Sequence, residues 1–224
     1  MAKVSTKELF NFDLSFDAII AGCDEAGRGP LAGPVVCAAC IMPLGSCDFI
    51  DGINDSKTIS EKKREILYDE IVKKAIDFNV SVITHDEIDK INILQATKKG
   101  MLTAVEGLLC SLSHKDWRQN RTIVLVDAVE LSFKNFDTFK KGTVDLGLHT
   151  QAIVKGDAQS YNIAAASIIA KVTRDRIMQE YDLKYPQYGF KQNKGYGTKR
   201  HIAALKEYGM CEIHRKTFCR RFND

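Results

Sequence analysis

The sequence predicts an α/β fold, a mixed sheet flanked by helices with a helical extension at the C-terminal end. Three observations carry this. Short apolar runs recur between stretches of helical spacing, the first two runs are joined only by a tight glycine-rich connection, and the later runs alternate with helices.

In chain order, residues 18–23 (AIIAGC) and 34–42 (PVVCAACIM) read as neighbouring strands. Thr58 and Ser60 can start a helix, with Glu61 completing a capping-box pattern from Thr58 and Leu67, Ile71, Ala75 and Phe78 following at helical spacing. Residues 80–83 form a short strand and 94–112 a helix. Residues 122–126 (TIVLV) are a β-branched run of the kind buried on both faces of a sheet. The stretch 128–150 has little pattern and reads as a long loop or small insertion. A strand at 151–154 and a long helix over 160–181 follow, the helix apolar nearly all round through IAAASIIA. Pro186 and several glycines then break the regularity before a helix over 198–207, whose Ile202, Ala203, Leu205 and Tyr208 offer an apolar face to the core.

The 224 residues, 45% hydrophobic and 27% charged, suit a single domain over 1–224, with a core at 17–181 and a basic, aromatic extension at 182–224. That composition excludes disordered, collagen-like and coiled-coil chains. No apolar stretch reaches 18 residues and residues 1–10 lack the apolar run of a secretory signal, so a soluble cytoplasmic protein, with no membrane partner, is the expectation. Seven cysteines, an odd number in a chain too large to need staples, fit reduced thiols. The net charge of +3 hides a segregation: residues 184–221 carry ten Lys/Arg against two acids, a balance of +8, leaving −5 elsewhere. Basic residues interleaved with Tyr185, Tyr188, Phe190, Tyr196, Tyr208 and Phe218 suggest contact with a polyanion whose sugars or bases meet aromatic faces, against the plainer alternative of a solvated helix and tail.

Acids stand at the strand ends. Asp24 and Glu25 follow AIIAGC, Asp127 follows TIVLV, and Asp157 follows QAIVKG, where open α/β sheets place their sites. One such acid alone reads as a helix cap or a solvated loop residue, but four at successive strand ends favour a shared cation, and oxygen ligands without His or Cys select Mg²⁺ or Mn²⁺. The loop Gly27-Arg28-Gly29 lets backbone approach a ligand while the guanidinium meets a phosphate; it has neither GxGxxG nor GK[ST] spacing. Cys37 and Cys40, three apart on one strand, point to opposite faces and read as buried hydrophobes rather than a metal or disulfide pair. The five histidines show no HxxxH or HExxH spacing, and His201 and His214 read as basic or packing members of the tail.

The run from Asp24 to Val36 (DEAGRGPLAGPVV), followed by Asn54-Asp55-Ser56-Lys57, resembles the opening signature of ribonuclease HII. Lys155-Gly156-Asp157 and the stretch 163–175 (IAAASIIAKVTRD) are similar to that family's long helix and its entry. Residues 185–190 (YPQYGF), 194–198 (KGYGT) and His214-Arg215 complete the pattern in family order, from about residue 20 to 218. The resemblance implies a ribonuclease H-like fold and a two-metal endonuclease, using Mn²⁺ or Mg²⁺, that cuts the RNA strand of RNA/DNA hybrids and single ribonucleotides embedded in duplex DNA, leaving 5′-phosphate and 3′-hydroxyl ends. By matching position, Asp24, Glu25, Asp127 and Asp157 would be the metal-binding catalytic carboxylates. Gly27, Arg28 and Gly29 would contact the ribonucleotide, Tyr196 its sugar and Lys57 a phosphate. A monomer is expected, with no protein partner indicated.

This chain departs from the family pattern in having Ala128 and Val129 where a glycine and a polar residue are common, Asn193 where a histidine often precedes Lys-Gly-Tyr, and a long stretch between Asp127 and Asp157. Rival readings are a non-catalytic nucleic-acid-binding module, which leaves the acids at strand ends without a reason, and a different two-metal nuclease on a related fold, which needs no combination of the GRG and KGY segments. Ribonuclease HIII typically carries an extra N-terminal domain, for which the 23 residues before Asp24 are too few.

Overall fold

The computed structural model describes residues 4–45, 49–112, 121–131 and 149–222. Five strands, β1 (Ile19–Ala26), β2 (Val35–Ile41), β3 (Asp77–Ile83), β4 (Thr122–Asp127) and β5 (His149–Ile153), form one sheet in the order β3-β2-β1-β4-β5. β2 is antiparallel to both β1 and β3, while β1, β4 and β5 run parallel, so the sheet is mixed as expected.

The alternation along β2 decides how the sheet is covered. Val35, Cys37, Ala39 and Ile41 pack with Met101, Ala104, Val105 and Leu108 of a helix at Ile93–Leu112 (α4, preceded by α2 at Glu61–Lys74 and the short α3 at His85–Ile91). Ala38, Cys40 and Met42 face the other way, onto the long helix α5 at Tyr161–Lys184. Cys37 and Cys40 therefore lie in different cores, which is why they cannot act as a pair. Gly22 of β1 allows α5 its approach: a Cβ there would come within 2.0 Å of the Asn162 backbone.

Several boundaries differ from the sequence reading for local reasons. Of the two helix starts that the sequence offers, Ser60 is the cap, its side chain accepting the amide of Lys63, and the capping-box pattern from Thr58 does not form, since Thr58 donates to the Asp55 carbonyl. β3 begins three residues early because Asp77 and Phe78 pair with Ile41 and Cys40. A helix at Thr6–Leu14 (α1) was not anticipated, although Ser5 and Glu8 form a reciprocal capping box. Its Leu9 and Phe10 join the core under α5. The stretch expected as a loop or insertion lies outside the described residues from 132 to 148.

Beyond α5, the helices α6 (Phe190–Asn193), α7 (Lys199–Tyr208) and α8 (Lys216–Cys219) surround a separate apolar cluster. Tyr188 and Phe190 stack within it at 5.4 Å and are buried, so these two aromatics hold the tail together and present no face to a polyanion. The α7 face that docks is His201, Ala204 and Leu205; Ala203 and Tyr208 are exposed.

Candidate active site

Because β1, β4 and β5 are parallel neighbours, their carboxyl ends share one edge. Cys23 is in register with Val126 and Asp127 with Ile153, which sets Asp24 beside Asp127. Asp157 follows on a single 3-10 turn at Gly156–Ala158. One carboxylate oxygen from each of Asp24, Asp127 and Asp157 lies within 4.8 Å of the others. The acids are individually anchored: Asp24 accepts the Glu25 amide at 2.7 Å, Asp127 accepts the Gly156 amide at 2.6 Å, and Asp157 receives Lys57 Nζ at 3.5 Å.

Glu25 is one residue on from Asp24 and so leaves the strand on its other face. It lines the same cavity outside the trio, with one oxygen 3.4 Å from Arg28 Nη1 and the other, Oε2, buried without a hydrogen-bond partner among the described residues.

This concentration of charge is unfavourable by itself. Burial, then the carboxylates of Glu25 and Asp127, push Asp24 well above the ordinary range. Burial also raises Glu25, against the pull of Arg28, and raises Asp157, where Asp55 adds to the shift and Lys57 opposes it. Burial works against charge on Lys57, but Asp157, Asp24 and Asp55 together outweigh it and hold its ammonium above the usual value. Three converging carboxylates and one orphaned, buried carboxylate oxygen fit a hard divalent cation, whose positive charge would remove both the repulsion and the unmet acceptor.

The cluster opens into a cavity of about 170 Å³. Gly27, Arg28 and Gly29 line it with Lys57 and with Tyr196, whose ring lies beside Gly29, and Ser56, Ser167, Lys171 and Arg174 complete the lining. Every residue expected from the sequence is thus in one place. Gly27 takes a φ of +103°, and a Cβ on it would meet Arg174 Nε at 2.1 Å, so this turn has room for glycine alone. Arg28, expected at a phosphate, holds Glu25 in the free protein. Tyr196 is 46% exposed and offers its ring to the cavity, unlike Tyr188 and Phe190, which pack inward.

The sequence reading missed Ser167, Lys171 and Arg174, which recur at helical spacing on α5 and so share its site-facing side. The signal lay in that spacing. It also missed the function of Asn193, which donates to the Tyr188 carbonyl at 2.7 Å and accepts the Gly195 amide at 2.7 Å, fixing the turn that carries Tyr196.

Comparison with known proteins places this geometry in context. The sequence profile of the family described as Ribonuclease HII matches residues 21–221. A ribonuclease HII of Acetivibrio thermocellus is 50% identical over 204 residues, covering 91% of this chain and 71% of that protein. One from Caldanaerobacter subterraneus subsp. tengcongensis is 47% identical over 216 residues, covering 96% and 79%. Among solved structures, the ribonuclease H2 of Pyrococcus horikoshii superimposes with a TM-score of 0.67 at 28% identity, covering 91% of this chain and 96% of that one. The ribonuclease HII in the PCNA complex from Archaeoglobus fulgidus gives 0.63 at 26%, covering 88% and 93%.

Proposed function

The chain belongs to the ribonuclease HII family and is a ribonuclease H, and we propose that its cleavage of RNA within RNA/DNA hybrids, and at ribonucleotides embedded in duplex DNA, takes place in the cavity at Asp24. The observation that carries this reading is the convergence of three carboxylates within 4.8 Å beside a glycine loop and an exposed tyrosine.

In this reading Asp24, Asp127 and Asp157 would hold Mn²⁺ or Mg²⁺, with the orphaned Oε2 of Glu25 as a further donor. Two such ions, when bound, supply Lewis acidity that activates water on one side of the phosphorus and stabilises the leaving oxygen on the other. The protein then needs no nucleophile of its own. Its residues orient the strand: Gly27 to Gly29 meet the ribonucleotide through backbone, Tyr196 packs on the sugar, and Lys57, 76% exposed at its side chain, reaches a phosphate while its ammonium stays charged. The 2′-hydroxyl is the group that separates RNA from DNA, and a loop without Cβ atoms brings amides close enough to contact it. The exposed Lys199 and Arg200 extend the contact to phosphates of the duplex. A cytoplasmic setting belongs to this reading, supported by the buried thiols Cys23, Cys37 and Cys40.

The deciding experiment uses a DNA duplex carrying one ribonucleotide. Cleavage at that position in Mn²⁺ or Mg²⁺, with a 5′-phosphate on the product and no cleavage after chelation, is the expected result. Chelator-resistant cleavage, or binding of the duplex without any cutting in either metal, would overturn it.

A further inference from the structure

Behind the glycine loop lie two arginines almost without access to solvent, Arg174 of α5 and Arg215, at 1% and 0% exposure. Arg215 donates from Nε to the Gly33 carbonyl at 2.9 Å, from Nη1 to Arg28 at 3.0 Å, and from Nη2 to Gly27 at 2.6 Å and Pro34 at 3.1 Å. Arg174 donates from Nε to Pro34 at 2.9 Å, from Nη2 to Ala32 at 3.2 Å and from Nη1 to Lys194 at 2.9 Å. Neither forms an ion pair with an acid among the described residues. A buried guanidinium is costly unless its donors are engaged, and here carbonyl dipoles take the place of a carboxylate. Burial, with a contribution from Arg174, lowers Arg215 to about 9, and burial lowers Arg174 to about 10, so both stay charged at neutral pH.

The bonding pattern fixes where the loop's amides point. In a trans peptide the C=O and the following N–H face opposite ways, and the described chain has no cis peptide. The carbonyls of Gly27 and Arg28 point at Arg215, so the N–H groups of Arg28 and Gly29 point away from it. Both residues line the cavity, and neither amide has a partner among the described residues. The contrast lies within the same segment, where the amides of Leu31 and Gly33 are engaged by the carbonyls of Gly195 and Ile213. Consecutive unengaged amides backed by a positive charge make a receptor for an electron-rich oxygen.

We propose that Arg215, backed by Arg174, is the positioning residue that fixes the Arg28 and Gly29 amides as the receptor for the ribose, and so sets discrimination between RNA and DNA. The proposal rests on the reading above in which residues 27–29 contact the ribonucleotide. A lysine could not substitute, because a single ammonium has three donors on a flexible stem and lacks the fork that spans four carbonyls.

The test is equilibrium binding in chelator, where cleavage is not expected, of a DNA duplex with one ribonucleotide and of the all-DNA duplex. Wild type should prefer the ribonucleotide. Arg215→Lys, checked for folding by thermal melting, should lose about tenfold of that preference while binding the all-DNA duplex as wild type does. A folded Arg215→Lys with its preference intact, or with equal weakening on both duplexes, overturns the proposal. If that variant does not fold, amide exchange on the wild type decides: the Arg28 and Gly29 amides should gain protection with the ribonucleotide duplex and not with all-DNA, while Leu31 and Gly33 are unchanged. Absence of that gain overturns it. A wild type that shows neither preference nor cleavage marks the failure of the underlying reading, and the proposal falls with it.

Discussion

Two groups of like charges face each other across the glycine loop, and each is solved differently. In front, Asp24, Asp127 and Asp157 crowd together with only Lys57 within ion-pair distance of them among the described residues. Behind, Arg174 and Arg215 share the Pro34 carbonyl and have no acid partner there. The cations are satisfied from within, by seven hydrogen bonds to backbone carbonyls that the fold already holds in place. The anions are not satisfied from within, and an orphaned Glu25 oxygen remains beside them. A fully answered charge is scaffold; a partly answered one is a demand on something from outside.

The comparison breaks most visibly at the front. Asp24→Asn or Asp127→Asn should lower the cleavage rate at a single ribonucleotide by about a thousandfold, since metal-borne charge stabilisation is worth several kcal/mol and each 1.4 kcal/mol is tenfold. Near-normal turnover of either variant in saturating Mn²⁺ would remove that residue from the site. Next in size is a fault at the seam between the two groups. Gly27→Ala has to displace Arg174 and adopt a strained φ, so it should cost about 2–3 kcal/mol in chemical denaturation and reduce cleavage as well. A wild-type denaturation midpoint would show that the loop is not pinned from behind.

A third test sharpens the contrast through pH. Asp24 is raised in the folded protein above its unfolded value near 3.8, so the native state holds the extra proton and its advantage is lost as pH climbs through the raised value. In chelator, Asp24→Asn should therefore melt with wild type at acidic pH and above it by several degrees at neutral pH, and added Mn²⁺ should stabilise wild type more than the variant. A variant that melts below wild type at every pH would mean that the front acids are already compensated. The smallest effect is at Ala128, which takes a left-handed φ of +49° immediately after Asp127 while its amide bonds the Ile153 carbonyl. Ala128→Gly should stabilise the fold by about 1 kcal/mol, read as a shift of the denaturation midpoint with unchanged slope. No shift would mean that this turn carries no strain.

That alanine also shows what could be read in advance. A departure from the family's glycine is visible in the sequence, and its meaning, a left-handed residue directly after Asp127, needs the backbone. The sheet and its acidic edge were legible because period-two burial and strand-end acids are local patterns; Cys37 and Cys40 were separated by the same rule. Tyr188 and Phe190 were misread because an aromatic among basic residues looks the same whether its ring faces a ligand or a stacked neighbour. Arg174 and Arg215 were invisible as buried groups, since charge in a sequence reads as surface and only the fold supplies the carbonyls that pay for their burial. The α1 helix is marked in the sequence by the capping box of Ser5 and Glu8, a signal much shorter than the apolar runs that mark the strands.

The strand order has a further consequence, for how the molecule comes into being. β1 pairs with β2 about a dozen residues on, but its other neighbour is β4, some hundred residues later, and β5 and α5 come later still. During synthesis from the N-terminus the future central strand has one open edge until residue 127 is available, and the carboxylate cluster is incomplete until residue 157. Pairings of such long sequence separation are slow to form and leave strand edges exposed in the interim. The half-made chain therefore lacks the assembled acidic edge: the three carboxylates come together only with the closing of the parallel half of the sheet, and Tyr196 and Arg215 join the cavity later still.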